Sequence, residues 1–173
     1  MYSKLKHHPV MVDEILSYLA PEKFKTYVDC TFGQGGYSKK ILENANCNIV
    51  AIDRDKDAIK YAELLKKKYP KNFFFSINNF SRLDYILKKN DIKKVDGLIF
   101  DLGISNTQLN NPSRGFSFSN NGPLDMRMDI ENLDLTAKRI INEFDQHNLS
   151  DIFYYYGEEK NSRQIAKKII EYR

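Results

Sequence analysis

Two features of the sequence have residue types and spacing suited to chemistry. They are the run Gly33-Gln34-Gly35-Gly36 and the aspartates Asp29, Asp53 and Asp101. The glycines follow the β-rich run Thr26 to Cys30 and precede a helical pattern. Glycine at such a turn lets the backbone bend tightly and brings main-chain N–H groups at a helix N-terminus close to a ligand. Asp53 closes the next β-rich run, about 20 residues after Gly33, the interval that nucleotide-binding sheets use. In an open parallel sheet, an acid there can accept both ribose hydroxyls of a nucleoside cofactor. Gly33, Gly35, Gly36 and Asp53 are therefore candidate cofactor contacts. The plainer alternative for Asp53 is a solvated cap beside Asp55.

The spacing narrows the cofactor without fixing it. A dinucleotide fingerprint requires G-x-G-x-x-G, and Ser38 stands where the third glycine belongs. Nothing then points to a pyrophosphate. S-adenosylmethionine carries no phosphate and needs only close backbone approach, an acid on its ribose and carboxylates near its sulfonium. Asp29, Asp53 and Asp101 close strands one, two and four, where such a ligand must sit. The pattern favours the methyl donor over NAD and leaves both open. Phe80, which follows strand three, either lines an adenine or belongs to the core.

The elements that must position these residues alternate strand and helix. Val10 to Leu19 has apolar residues at helical spacing, with Pro9 suited to its start and Pro21 closing it. Tyr37 to Asn44 reads as a helix, Asn48 to Asp53 as a strand, and Asp55 as the cap of a helix ending at Pro70. A third strand runs through Phe73 to Phe75, and a short helix through Leu83, Ile86 and Leu87 follows. Val95 to Gly103 reads as a fourth strand, apolar almost throughout, as a strand covered on both faces is. This βαβ order predicts an α/β fold built on a parallel sheet. From Ile104 to Asp134 no period holds. Helical patterns resume over Thr136 to Phe144, Leu149 to Tyr156 and Glu159 to the end. The tyrosines Tyr154 to Tyr156 read as helix packing. The last pattern stops without a Gly or Pro signal, which reads as a truncation.

Composition excludes several classes. The chain has 173 residues, 42% of them hydrophobic, enough to bury one core. Its net charge of +4 is compatible with a polyanionic partner and does not prove one. The first twenty residues are interrupted by Pro9, Asp13 and Glu14 and lack the apolar core of a signal peptide. No apolar run approaches the roughly 20 residues that span a bilayer. A cytoplasmic protein is expected. Cys30 and Cys47 have no metal-like spacing, and His7, His8 and His147 have no metal-like partners, so neither a metal nor a disulfide is expected.

Longer words carry a family resemblance. His8-Pro9-Val10, DCTFGQGGYS, AIDRD, NNFS, VDGLIFDLGISNTQL, RGFSF, GPLDMRMD and YGEEKNSRQIA occur in this order. Together they resemble the bacterial 16S ribosomal RNA cytosine-N4 methyltransferases, over nearly the whole chain. The resemblance implies a Rossmann-like class I methyltransferase sheet, incomplete here, followed by part of an inserted helical domain. It divides the chain into a donor-binding part, 1–109, and the start of an RNA-recognition domain, 110–173. It implies methyl transfer from S-adenosylmethionine to the exocyclic amine of one decoding-region cytidine.

By the same resemblance the donor contacts are Gly35, Gly36, Tyr37, Asp53, Phe80, Asp101 and Gln108. Asp101 and Ser105 are the candidates to face the target amine. Arg114, Phe116, Phe118 and Arg127 mix charge with aromatic rings as RNA-binding loops do. Without the resemblance these four read better as loop anchors and surface charge. Two departures stand out. The family usually has His where Tyr37 stands, and its DLGVSSPQL appears here as Asp101 to Leu109 with Asn106-Thr107 in place of Ser-Pro. The second change is expected to loosen that loop. An NAD(P)-dependent oxidoreductase and a non-catalytic donor- or RNA-binding fragment remain the competing readings.

Overall fold

The computed structural model describes residues 9–173, so His7 and His8 lie outside the described residues. The chain divides into two compact units after Thr107. The first contains α1 (Val12–Leu19), β1 (Thr26–Asp29), α2 (Gly36–Asn44), β2 (Asn48–Asp53), α3 (Ile59–Lys68), β3 (Phe73–Ile77), α4 (Leu83–Lys89) and β4 (Gly97–Ile99). Its four strands form one parallel sheet in the order β3-β2-β1-β4. The chain works outward from β1 to β3 and then crosses to the other side of β1. The order therefore reverses between β1 and β4, and in open parallel sheets ligands bind outside the carboxyl ends of the strands at that reversal.

The two-residue period of the strands builds two cores. Tyr27, Ile49, Ala51 and Phe73 point to one face and pack with Ile41 and Leu42 of α2 and Ala62 and Leu65 of α3, while Ile15, Leu16 and Leu19 of α1 lean on them. Val28, Val50 and Ile52 point to the other face, against Ile86, Leu83 and Leu87 of α4. Cys30 and Cys47 are buried free thiols within these cores. Under the sheet's carboxyl edge, the Phe32 ring lies 5.5 Å from Phe73 and 5.1 Å from Phe75, centroid to centroid. Its backbone N–H donates to the Ile52 carbonyl at 3.0 Å.

Three expectations change. The first helix begins at Val12 rather than Val10, because Met11 takes a left-handed conformation (φ 53°). The fourth strand pairs only over Gly97–Ile99, and it is not covered on both faces. It is the outer strand of this sheet, and Leu98, which stands in register with Val28, is 44% exposed, with Phe100 and Leu102 exposed beyond it. The continuous apolar run predicted two covered faces, but among the described residues the cluster on that side of β4's neighbours draws its helical members from α4 alone. The tyrosines Tyr154 to Tyr156 are exposed, Tyr156 at 87%, not packed. Consecutive helical residues point about 100° apart, so three in a row cannot share one buried face.

The second unit starts within α5 (Asn106–Asn110), passes a 3₁₀ turn at Pro112–Arg114 and a long irregular segment, and ends in α6 (Ala137–Glu143), α7 (Gln146–Tyr155) and α8 (Ser162–Tyr172). Here α7 and α8 bury Leu149 and Ala166, with the Ser150 and Ser162 hydroxyls 3.2 Å apart. Arg173 donates to the carbonyls of Ile141 and Phe144 and so ties the end of α8 to α6.

Phe73 is fully buried and carries the Phe32 ring. Phe73→Ala is expected to cost about 3–5 kcal/mol in urea unfolding; a loss under about 1 kcal/mol would show that Phe73 is not part of the core's support.

Candidate functional site

The carboxyl ends of β1, β2 and β4 carry the Gly33–Gly36 turn, Asp53 and Asp101 respectively. Gly33 and Gly35 both have left-handed backbone (φ 53° and 77°), which a side chain would strain. Crowding adds a second reason. A Cβ on Gly35 would lie 2.6 Å from the Phe32 ring, and one on Gly36 would collide with the Pro9 ring. The turn is thus pressed from below by Phe32 and from the N-terminal side by Pro9, and it feeds straight into α2. Its main-chain N–H groups stand where a helix N-terminus favours electron-rich ligand atoms.

Asp53 ends β2 and reaches across to this turn. Its Oδ2 accepts from the Gly33 N–H at 2.6 Å, and its Oδ1 from the Asp55 N–H at 2.9 Å. Each carboxylate oxygen has a second lone pair, so hydroxyl donors can still be accepted. Burial holds the Asp53 carboxyl above the usual carboxylate range, and the backbone amides of Asp55, Gly33 and Arg54 pull it partly back. Asp55 is a cap as expected, accepting from the Asp57 N–H at 2.9 Å at the start of the 3₁₀ turn that leads into α3.

Asp29 departs from expectation. It closes β1 but is completely buried, so it cannot touch a ligand. Its Oδ2 accepts from the Ser38 hydroxyl at 2.7 Å and its Oδ1 from the Thr31 N–H at 3.3 Å. Ser38, which replaces a glycine of the dinucleotide fingerprint, is thereby the group that anchors the first turn of α2 to β1. Desolvation raises the Asp29 carboxyl to about 6 despite those hydrogen bonds.

Asp101 follows β4 and is exposed. Its backbone N–H donates to the Thr31 hydroxyl at 2.7 Å. Thr31 therefore links Asp29 to Asp101, and sequence spacing offered no sign of it because the partners are 70 residues apart. Ser105 lies on the same segment and is half-buried. Tyr37 is buried, and its hydroxyl donates to the Val10 carbonyl at 2.7 Å. Burial, then the nearby Asp101 carboxylate, pushes that phenol up to about 12. Its side chain thus fastens the N-terminal segment to α2, leaving its backbone at the turn. Phe80, half-exposed in the 3₁₀ turn after β3, meets Phe100 edge to face at 5.5 Å and 88°. These two rings leave a partly open aromatic wall at the sheet's carboxyl edge.

In the second unit, Gln108 is buried in α5. The four candidate RNA contacts separate. Arg114 is buried and donates to the Arg127 and Met128 carbonyls at 2.9 and 3.2 Å. Arg127 forms a two-pronged pair with Asp125, at 2.9 and 2.7 Å, and reaches the Ile130 and Leu133 carbonyls. The pair holds Asp125 below the usual carboxylate range, the Arg127 hydrogen bond being the main cause. Phe116 is buried, whereas Phe118 is fully exposed. Arg114, Phe116 and Arg127 are therefore built into the irregular segment, and Phe118 alone of the four offers its whole side chain to solvent. No cluster of three or more potential metal ligands occurs among the described residues.

Comparison with known proteins adds a second line of observation. Residues 4–173 match the model of the MraW methylase family. The chain is 48% identical to ribosomal RNA small subunit methyltransferase H of Rickettsia bellii (strain OSU 85-389), over 96% of this chain and 53% of that protein. It is 45% identical to the protein of the same name from Ehrlichia ruminantium (strain Welgevonden), over 96% and 56%. The chain spans about half the length of the curated relatives it matches. Among solved structures, an rRNA methylase from Streptococcus thermophilus is similar at 18% identity and a TM-score of 0.45, covering 58% of each chain. That likeness is too slight to bear on function.

Asp29 gives a pH signature. Its carboxyl holds a proton more tightly in the folded chain than in the unfolded one, where the value is 3.8. The stability this confers is present below 3.8 and is lost as pH rises through about 6. Urea unfolding is expected to show the unchanged chain losing stability relative to Asp29→Asn across that window. Equal pH slopes for the two chains would contradict the burial of an ionisable Asp29.

Proposed function

This chain belongs to the MraW methylase family, and from that premise we propose that it binds S-adenosylmethionine at the Gly33–Gly36 turn and takes part in methylating small-subunit ribosomal RNA. The observation that carries the reading is the meeting of Gly33 and Asp53 at the ends of β1 and β2, beside the reversal of strand order. Gly35, Gly36 and the Tyr37 backbone would approach the donor's polar atoms, Asp53 would accept its ribose hydroxyls, and Phe80 would lie along its adenine. The residues fit such a group: Gly35 and Gly36 have no room for side chains, and Asp53 can still accept hydroxyl donors in a desolvated place. The exposed carboxylate of Asp101 suits a cationic ligand better than a pyrophosphate.

The specific reaction proposed is methylation of the N4 amine of a cytidine in the decoding region of 16S rRNA. When bound, S-adenosylmethionine supplies an electrophilic methyl group on a sulfonium. The cytosine amine is a weak nucleophile because its lone pair is delocalised into the ring, so alignment and hydrogen bonding do the protein's part of the work. Asp101 or Ser105 would accept the amine's N–H as positive charge develops on nitrogen. Thr31 would fix where Asp101 stands, through the backbone N–H it accepts. The target base has to leave its stack to reach such a pocket. In the second unit Phe118 is the candidate stacking surface, while Arg114, Phe116 and Arg127 shape the segment that presents it. No helix among the described residues is long and apolar enough to cross a membrane, and a cytoplasmic place beside the ribosome is part of this reading.

Calorimetric titration of the chain with S-adenosylmethionine and with NAD tests the donor half. The methyl donor is expected to bind, and Asp53→Ala to weaken it at least about tenfold, equivalent to some 1.4 kcal/mol. Binding of NAD alone, or an unaltered affinity in the variant, would refute it. Transfer of tritiated methyl to undermethylated small subunits tests the RNA half; a protein that binds donor yet labels no RNA, even when supplied with the rest of the family's length, would refute that half.

A further inference from the structure

The replacement of Ser-Pro by Asn106-Thr107 was expected to loosen the segment after β4, and the structure gives Thr107 a different part. Its hydroxyl accepts from Gln34 Nε2 at 2.9 Å. The Tyr61 hydroxyl of α3 lies 3.5 Å from the same oxygen, and either can donate to the other. A hydroxyl has one proton and two lone pairs, so both contacts can coexist. Gln34 is the sole residue of the Gly33–Gly36 turn with a side chain, and so the turn's one handle for a hydrogen bond beyond its own backbone. Three pieces that are distant in sequence thus meet on one oxygen: the glycine turn, α3 and the segment that carries Asp101 and Ser105. Proline at that place would stiffen its own backbone, but its side chain could accept nothing from Gln34.

We infer that Thr107 is a positioning residue, which through Gln34 and Tyr61 holds the segment after β4 against the glycine turn and so tightens the grip on an adenosyl ligand. This rests on the reading of that turn as the donor site. The physical effect is preorganisation. A turn built of glycines has more backbone freedom to lose on binding than any other, and a side-chain clasp removes part of that freedom beforehand. The clasp is also local: it leaves Asp53, Asp29 and Thr31 with their own partners. Losing it should therefore loosen two short segments without unfolding the sheet.

The test uses the full 173-residue chain and its Thr107→Val and Thr107→Ser variants, read by hydrogen exchange without ligand and by titration with S-adenosylhomocysteine. Valine keeps the shape and loses the hydroxyl; serine keeps the hydroxyl. Thr107→Val is expected to speed exchange at Gln34–Gly36 and over residues 104–107, and to weaken binding roughly three- to tenfold, the worth of one neutral hydrogen bond. Thr107→Ser should retain both properties. Gln34→Met, at a partly exposed position, should reproduce the loss, and the double variant should be no worse than either single one. Unchanged exchange in Thr107→Val overturns the clasp, and faster exchange with unchanged affinity overturns its role in binding. A chain that takes up no S-adenosylhomocysteine at all overturns the donor reading instead, and the exchange comparison still decides whether the clasp exists.

Discussion

No side chain fits at Gly35 or Gly36, and that exclusion governs the carboxyl edge of the sheet. Phe32 presses up under the first and Pro9 lies against the second. The turn packs closely as it leaves β1, and its path delivers the Gly33 N–H to the Asp53 carboxylate at 2.6 Å. From there the order spreads. Asp53 also takes the Asp55 amide, which starts the turn into α3, while Asp29 beneath takes Ser38 and fixes the first turn of α2. The packing of Phe32 on Phe73 and Phe75 roots the arrangement in the core. Steric pressure from below and hydrogen bonding from the side are consistent with a backbone held open for a ligand.

Electrostatics at this edge runs in one direction. Asp29 and Asp53 are both raised by burial, Asp29 to about 6, and the main compensation they receive is from hydrogen-bond donors. A desolvated carboxylate gains from further hydrogen-bond donors and from positive charge, and loses beside an anion. Ribose hydroxyls and a sulfonium meet that demand. Asp29 itself is removed from any ligand by its burial, so its contribution passes through Ser38 and Thr31. Thr31 extends the joining of β1 to β4 past the strand ends, since its amide serves Asp29 and its hydroxyl holds the Asp101 backbone.

Much of this was legible in the sequence where the signal was local. Glycines after a β-rich run, an acid at the next strand end, and apolar residues at periods of two and three to four gave the sheet and the turn. What was not legible depended on partners far along the chain. Thr31 with Asp101, Gln34 with Thr107 and Tyr37 with Val10 are meetings that no period encodes. Ser38 was visible only as a missing glycine, and its bond to Asp29 needed the fold. The apolar run at β4 misled because hydrophobicity records what a strand can bury, and Leu98 stands on an outer strand of this sheet. Arg114 and Arg127, which without the resemblance read as loop anchors, both donate to the segment's own carbonyls, and Arg127 also pairs with Asp125, partners that no local pattern names.

The most direct measurement of the central claim is a backbone amide NMR titration of the chain with S-adenosylhomocysteine. The account predicts that the perturbed resonances gather at Gly33–Gly36, Asp53 to Asp55, Phe80 and Asp101, at the carboxyl ends of the strands. Perturbations confined to the opposite edge of the sheet, or none at saturating ligand, would contradict it.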